Sequence, residues 1–254
     1  AIEAGIRAGR PHRVRVTHFA EQVARAREQT AQRRGRRVVA VAAGPGLASL
    51  FAEAGAVVVE GAPGRRPATG ELLDAITGCG AEEVVVLPND ADSVRVAEVA
   101  ARTAEHDAGL RVAVIPTHAQ VQGLAALAVH EPGRSFDQDV LEMTATARHA
   151  RHGAVTVAAR QAITMAGPCE PGDVLGVVEG DFAVVGEDLY DVAIDVLERL
   201  VGGGGELVTL VGGAAAGDGL AQRCAAHVEE HHPHVDVVVY DGGQERYPLL
   251  MSVE

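Results

Sequence analysis

Short apolar runs alternate with helical patterns between residues 37 and 117, at a spacing of roughly 25 residues. Each run is continuous, as in parallel strands that are covered on both faces. The runs read RVVAVAA, AVVVE, EEVVVLP and LRVAVIP. Between them lie helical stretches at Leu47–Ala54, Gly70–Thr77 and Val94–His106, and Ser93 is placed to cap the last helix. The pattern predicts βαβ units on a parallel, Rossmann-like sheet.

The spacing of apolar positions changes after Thr117. Three helices are predicted, near 120–129, 136–151 and 187–201, and the third has a one-sided apolar stripe. Short strands are predicted at 154–159, 173–178 and 181–185. A further helix at 220–231 lies among the strands ELVTLV, VDVVVY and YPLLMSV. We therefore expect a smaller α+β domain with a mixed or antiparallel sheet, so that the whole chain is of the α/β class.

The N-terminal segment differs from the rest in charge. Residues 1–30 are expected to form a helix, a strand from His12 to Thr17 and a second helix, followed by the basic stretch TAQRRGRR. Up to Arg37 the chain contains ten arginines and three acidic residues. We predict three parts: the tail of a preceding domain with a basic linker (1–36), a Rossmann-like domain (37–152) and an α+β domain (153–254).

The overall charge excludes several classes of function. All 22 basic residues are arginine, and they face 35 acidic residues, for a formal net charge of −13. An acidic body repels phosphate backbones, so no nucleic-acid partner is expected. The absence of lysine from the sequence rules out a P-loop of the G-x-x-x-x-G-K type and any Schiff-base chemistry in this chain.

Neither a signal peptide nor a membrane span is predicted. The longest apolar stretch, from Val38 to Val59, is interrupted by the Gly-Pro-Gly at 44–46 and by Glu53. The three cysteines are far apart and form no C-x-x-C pair. Such sparse cysteines are typical of core residues in a reducing compartment, so we expect a cytoplasmic protein.

Two motifs suggest alternative functions. The turn from Gly44 to Ser49 resembles the start of a dinucleotide fingerprint, and Glu60 ends the second strand where an acid would contact a ribose. A small-ligand or nucleotide-binding α/β enzyme is therefore the alternative hypothesis. The sequence from His227 to His231 reads H-x-x-E-H, a spacing used by some zinc hydrolases. The helix that carries these histidines ends near Pro233, which favours a structural interpretation, so no metal site is predicted.

Polar residues follow the third and fourth strands of the predicted parallel sheet. They are Asn89, Thr117 and Gln122, and the turn from Gly242 to Pro248 adds polar groups between the last two strands. In open parallel sheets, ligands bind outside these strand ends. The side chains have the groups needed to bind a carboxylate, a phosphate or a partner's backbone, although Asn and Thr also occur here as caps and turn residues.

These motifs occur in a recognisable order. They are LPND at 87–90, VIPT at 114–117, QGLAAL at 122–127, VTVAAR at 155–160 and GQERYPLLMSVE at 243–254. Together they resemble the C-terminal region of the ATP-binding subunit of fatty acid kinases, a dihydroxyacetone-kinase-like family often labelled DAK phosphatase. Where that family has a Gly-Gly-Gln-Thr-type loop ending in Pro-Ser-Thr, this chain has the divergent loop 61–69, with Arg65 and Arg66.

The resemblance implies that each domain of the full-length protein has a separate function. In that family an N-terminal helical domain binds ATP and magnesium, and a middle domain supports dimerisation and carries a metal site. Residues 1–30 resemble the tail of that middle domain. The C-terminal part has a DegV-like fold and engages DegV-like proteins that present a fatty acid for phosphorylation. The resemblance thus implies an ATP-dependent fatty acid kinase whose nucleotide and magnesium sites lie upstream of Ala1, a homodimeric full-length protein and a cleft that docks the partner.

From the strand ends and the resemblance together, we predict no catalytic residue, cofactor site or metal ligand in this chain. The predicted residues for binding a partner or ligand are Asn89, Thr117, Gln122, Gly123, Arg160, Gln244 and Tyr247.

Overall fold

The computed structural model describes residues 34–61, 65–217 and 219–254, and Arg34–Glu254 forms one unit of the chain. The predicted helices and strand of residues 1–30, the proposed tail of a preceding domain and most of the basic linker lie outside the described residues. The predicted boundaries at 36/37 and 152/153 stay predictions.

Four parallel strands form the first sheet. They are β1 (Arg36–Ala42), β2 (Val57–Glu60), β3 (Glu83–Leu87) and β4 (Arg111–Val114). Their order in the sheet is β2-β1-β3-β4, and each neighbouring pair is parallel. The central strands β1 and β3 are buried along almost their whole length, as their continuous apolar sequences predict.

Five helices accompany this sheet. They are α1 (Pro45–Glu53), α2 (Thr69–Gly78), α3 (Val94–Ala108), α4 (Gln120–Ala128) and α5 (Phe136–His149). The predicted cap of α3 is wrong: Ser93 has helical backbone angles and its side chain caps nothing. Asp90 instead caps a short 3-10 turn that precedes α3, and accepts hydrogen bonds from the amides of Asp92 and Ser93. The 3-10 turn moves the capping position one turn upstream.

The second sheet is mixed. The remaining strands are β5 (Arg151–Val157), β6 (Ala162–Thr164), β7 (Gly167–Cys169), β8 (Val174–Val178), β9 (Asp181–Gly186), β10 (Leu207–Gly212), β11 (Asp236–Asp241) and β12 (Leu249–Val253). Six of them form a sheet in the order β11-β10-β12-β5-β8-β9, in which β10 and β11 are parallel and the other neighbouring pairs are antiparallel. A parallel sheet followed by a mixed sheet confirms the predicted fold class.

One helical layer lies between the two sheets. The apolar face of α1, centred on Leu47 and Phe51, shares a core with Val38 of the first sheet and with Val211 and Leu250 of the second. Helices α2 and α3 cover the opposite face of the first sheet. The second sheet is covered by α6 (Leu189–Val201) and α7 (Leu220–His231), which complete the order of elements. The shared layer fixes the loops of both sheets around a common cleft.

Strands β6 and β7 form a separate two-stranded hairpin that the sequence pattern does not predict. It leaves β5 after Val157 and returns to β8. A small buried cluster of Ala158, Cys169 and Leu175 holds its base.

A buried ion-pair network fixes the amino end of β1. The guanidinium of Arg36 lies 2.9 Å from a carboxylate oxygen of Asp139 and 2.9 Å from one of Glu83. Asp139 also contacts the ring of His130 at 2.7 Å and accepts a hydrogen bond from the amide of Glu131 at 2.9 Å. Burial opposes the charged form of Asp139, but these hydrogen bonds outweigh it, and its pKa is lowered. The network ties α5 to the first sheet, at the end opposite the polar strand ends.

Within the described residues, no helix combines the length and apolarity needed to cross a bilayer.

Candidate functional site

A cleft of about 850 Å³ lies where the carboxyl ends of the first sheet's strands face the second sheet. One wall is formed by the ends of β1, β2 and β3, together with the start of α4. The other wall contains parts of β5, β8 and β12 and the loop 243–247. This is the position at which a parallel sheet presents its strand-end groups, as the sequence predicts.

Asn89 and Thr117 meet at the edge of this cleft and bind each other. The amide of Asn89 donates to the Thr117 hydroxyl at 2.9 Å, and that hydroxyl donates to Oδ1 of Asn89 at 2.8 Å. Nδ2 of Asn89 donates to the carbonyl of Val41 at 2.9 Å. Asn89 has a φ of 57°, a left-handed conformation that Asn tolerates better than most residues. Both side chains are buried, and their polar groups are used inside the protein.

Gln122 and Gly123 belong to the same polar cluster. Oε1 of Gln122 accepts from the amide of His118 at 2.8 Å, and its Nε2 donates to the carbonyl of Ala150 at 3.4 Å. Gly123 lies against the side chain of Asn89, because a Cβ atom at Gly123 would be only 2.6 Å from Cγ of Asn89. The structure therefore brings four of the predicted residues together in a tight internal arrangement, and their binding role stays a prediction.

Gln244 and Tyr247 line the cleft from the side of the second sheet. Nε2 of Gln244 donates to the carbonyls of Val211 and Tyr247, at 3.0 and 3.1 Å, while its Oε1 is buried and has no partner among the residues that the structure describes. Tyr247 is half-buried, and its ring lies under the guanidinium of Arg246. The segment that could be interpreted as a plain turn is therefore part of the cleft wall.

Arg160 does not join the other predicted residues. It is exposed and lies outside the cleft, at the base of the β6–β7 hairpin.

Two backbone amides in the turn from Gly44 to Ser49 are bonded to another segment of the same chain. The amides of Gly46 and Leu47 both donate to the carbonyl of Gly242 at 3.1 Å. A Cβ atom at Gly44 would lie 2.6 Å from the amide nitrogen of Gln244. The start of α1 is thus packed against the 242–244 turn, and its first free amides do not face a space in which a phosphate could bind. Glu60 lines the cleft at the end of β2.

The two arginines of the divergent loop are paired within the chain. Arg65 contacts Glu71 at 2.7 Å, and Arg66 contacts Asp90 at 2.9 Å and also pairs with Asp92. These pairs are largely exposed, so their contribution to stability is small. Arg65 and Arg66 both line one side of the cleft, and each is paired with a carboxylate.

His152 is a cleft residue that the sequence analysis missed. It lies on β5, is buried, and its Nδ1 is 3.4 Å from Oε1 of Glu179 without a hydrogen bond. That same Oε1 accepts from the His152 amide at 2.6 Å. Burial lowers the pKa of the imidazole, and the Glu179 carboxylate offsets only part of that effect. The contact depends on strand register between β5 and the β8–β9 turn, which no local sequence signal specifies.

The H-x-x-E-H histidines make contacts within their own helix and with Glu198. The rings of His227 and His231 stack with centroids 4.1 Å apart, and Nδ1 of His231 contacts the carbonyl of His227. Nε2 of His227 lies 2.8 Å from a carboxylate oxygen of Glu198, which His232 also contacts. Across the described ranges, no cluster of three or more His, Cys, Asp or Glu is arranged to hold a metal ion.

Residues 37–254 match the family described as the C-terminal region of FakA-like fatty acid kinase subunits. The chain belongs to this family. One relative, Protein YloV of Bacillus subtilis, is 28% identical over 218 residues, which are 85% of this chain and 39% of YloV. The chain thus spans about two fifths of the length of the curated relatives it matches.

Solved structures of DegV-family proteins share the fold. One from Ruminococcus gnavus, described with vaccenic acid, has a TM-score of 0.63 at 9% identity and covers 86% of this chain and 99% of its own. The fatty acid kinase B3 protein of Streptococcus pneumoniae, loaded with linoleic acid, has a TM-score of 0.57 at 15% identity and covers 74% of this chain and 76% of its own. At these identities the likeness establishes the fold alone.

Proposed function

We propose that residues 34–254 are the docking region of a fatty acid kinase subunit, which holds a DegV-like fatty-acid-binding protein while a separate domain phosphorylates the acyl carboxylate. The observation that carries the proposal is the family match over residues 37–254. Because the chain covers only 39% of its relatives, the transfer itself is assigned to a part of the full-length protein that lies beyond this region.

The interior of the site supports a positioning role. The amides of Gly46 and Leu47, which would bind a phosphate in a dinucleotide site, are taken by the carbonyl of Gly242. In the same proposal, ATP and magnesium bind to another domain of the full-length protein. Phosphoryl transfer depends strongly on how the two reactants are positioned, so a region that only orients the acyl carrier contributes directly to the rate. A homodimeric full-length protein in the cytoplasm belongs to the same proposal.

Binding in solution tests the docking role. The chain is titrated with a DegV-family protein from the same organism, loaded with oleic acid, in an isothermal titration experiment. We expect saturable binding with one carrier per chain. Added in excess to the full-length kinase, the isolated chain is expected to lower acyl phosphate formation, because it sequesters the carrier. The proposal fails if no binding is detected, or if the isolated chain itself forms acyl phosphate from ATP.

A second candidate function is ligand binding in the cleft. It is favoured by the cleft's volume of about 850 Å³ and its apolar floor of Ala154, Val177 and Leu250. Related folds are described with fatty acids, which makes oleate below its critical micelle concentration the first ligand to test. A rise in melting temperature with oleate supports this candidate, whereas a rise with ATP or NAD supports the nucleotide-binding alternative.

A further inference from the structure

The β6–β7 hairpin carries the most exposed large apolar side chains among the described residues. Ile163 is 91% exposed and Met165 is 90% exposed. Ile163 lies in β6, and Met165 lies in the turn between β6 and β7. Exposed apolar side chains that lie together on a surface are candidates for a contact with another molecule.

The tip is held in a fixed shape. The hydroxyl of Thr164 donates to the carbonyl of Gly167 at 2.8 Å and accepts from the amide of Ala166 at 3.2 Å. Gly167 has a φ of 123°, which only glycine adopts without strain, so the turn itself is specified. At the base, the side chain of Gln161 donates to Glu170 at 2.7 Å. A hairpin fixed in this way loses little conformational entropy when it binds.

The charges around the hairpin differ from those of the chain as a whole. The segment from Val155 to Cys169 contains a single charged residue, Arg160, although the chain has a net charge of −13. The carbonyl of Arg246 accepts a hydrogen bond from Thr156 at the end of β5, but the guanidinium of Arg246 lies over the ring of Tyr247 in the cleft wall. Arg160 forms no ion pair with any residue that the structure describes, and the carboxylate of Glu170 at the base of the hairpin is bonded to Gln161. The hairpin therefore joins an apolar tip to one unpaired cation, Arg160.

From this arrangement we infer that the β6–β7 hairpin is the docking element for the acyl-carrying protein, and that it inserts Ile163 and Met165 into an apolar pocket of that protein. A carboxylate at the rim of the pocket pairs with Arg160. The inference rests on the proposed function, and it assigns the contact to this hairpin rather than to the buried residues Asn89 and Thr117. Exposed anchors surrounded by complementary charge provide both affinity and orientation.

Two other occupants fit the hairpin less well. A lipid bilayer with anionic headgroups would repel the acidic body of the chain, and the tip offers only two apolar anchors. A symmetric contact between two tips would bury little more than Ile163 and Met165 of each copy, which is far less area than a stable dimer needs. A protein that receives both side chains in one pocket has neither difficulty.

The test measures binding of the oleate-loaded DegV-family protein to matched variants. In the double variant Ile163→Ser and Met165→Ser, affinity is expected to fall at least about 100-fold, because both anchors are lost. Arg160→Glu is expected to weaken binding about tenfold and to reduce its dependence on salt. The controls are Leu141→Ser, which changes another exposed apolar residue, and Arg148→Glu, which makes the same charge change on α5. Both controls are expected to bind within about twofold of wild type.

Hydrogen exchange on the wild-type complex gives an answer that needs no variant. Amides of the hairpin are expected to exchange more slowly when the carrier is bound. If wild type binds but the double variant binds equally well and the hairpin gains no protection, the hairpin inference is overturned and the docking function stands. If wild type does not bind, the docking function itself fails. A dimer of this chain, or binding to oleate-free phosphatidylglycerol vesicles, that is lost in the double variant would also overturn the inference.

Discussion

The parallel-sheet half of the protein buries polar side chains, whereas the β6–β7 hairpin exposes apolar ones. Around the first sheet, polar residues such as Asn89, Thr117 and Asp139 are buried and bonded to other parts of the same chain. On the hairpin, Ile163 and Met165 are apolar and lie in water. Polar groups at a strand end are therefore not free to bind by virtue of their chemistry alone, and exposed apolar groups are the better candidates for a contact.

The buried ion pair of the parallel-sheet half is where we expect the largest effect. Asp139→Asn removes the charge that faces Arg36 and His130, and should lower the free energy of unfolding by about 4 kcal/mol at pH 7. The control Asp137→Asn changes an exposed carboxylate on the same helix and should cost less than about 1 kcal/mol. Denaturant unfolding at several pH values measures both.

The pH dependence of the Asp139 effect follows from the direction of its pKa shift. The pKa of Asp139 is lower in the folded protein than in the unfolded chain, so its contribution is fully present above the ordinary pKa of an aspartate, about 4. The contribution is lost as the pH falls through the lowered folded-state value. The difference between wild type and Asp139→Asn should therefore shrink in acid. A difference that stays constant down to about pH 2 contradicts this account.

The close approach at Gly123 provides the next test. Gly123→Ala should lower stability by about 3 kcal/mol, because the added methyl group must displace the bonded side chain of Asn89. Gly70→Ala is the matched control, since nothing lies within 4 Å of a Cβ atom at Gly70 in α2. That control should raise stability slightly, by up to about 1 kcal/mol, because alanine favours helix. Equal melting temperatures for the two variants would show that the cluster is loosely packed.

Two substitutions at Thr117 distinguish the contribution of its hydrogen bonds to stability from the contribution of its packing in the same cluster. Thr117→Val keeps the shape but leaves both the amide and Oδ1 of Asn89 without a partner, at a cost of about 2 kcal/mol. Thr117→Ser keeps the hydroxyl and should cost about half as much. If valine is tolerated as well as serine, the hydroxyl is not essential, and the cluster is open to a ligand in the way that the sequence suggested.

The sequence predicted the framework of the molecule well, because its information is local. The apolar runs of β1 and β3 and the stripe of α6 identify those elements without reference to distant residues. The same reasoning correctly located Asn89 and Thr117 at neighbouring strand ends. Their mutual hydrogen bonds join residues 28 positions apart in the chain, so whether their polar groups are free could only be learned from the structure.

The hairpin was missed for a different reason. The segment AITMAGPC contains two three-residue strands joined by a two-residue turn, and such strands are too short to show an alternating pattern. At the base of the hairpin, Cys169 of β7 packs in a buried cluster with Ala158 and Leu175, residues that lie outside the hairpin. The prediction that Ser93 caps α3 was wrong for a similar reason. The 3-10 turn that begins at Asp90 gives no separate signal in the sequence. Features that depend on a few tertiary contacts were therefore the ones that escaped prediction.

Substitutions at the hairpin tip should have the smallest effect on stability. The double variant Ile163→Ser and Met165→Ser removes side chains that are 91% and 90% exposed, so the free energy of unfolding should change by less than about 0.5 kcal/mol. Thermal and denaturant unfolding of the free chain measure this change. A loss of about 2 kcal/mol would mean that the tip packs against this protein after all. Stability that is unchanged while carrier binding is lost would place the function of the hairpin in its contact with another protein.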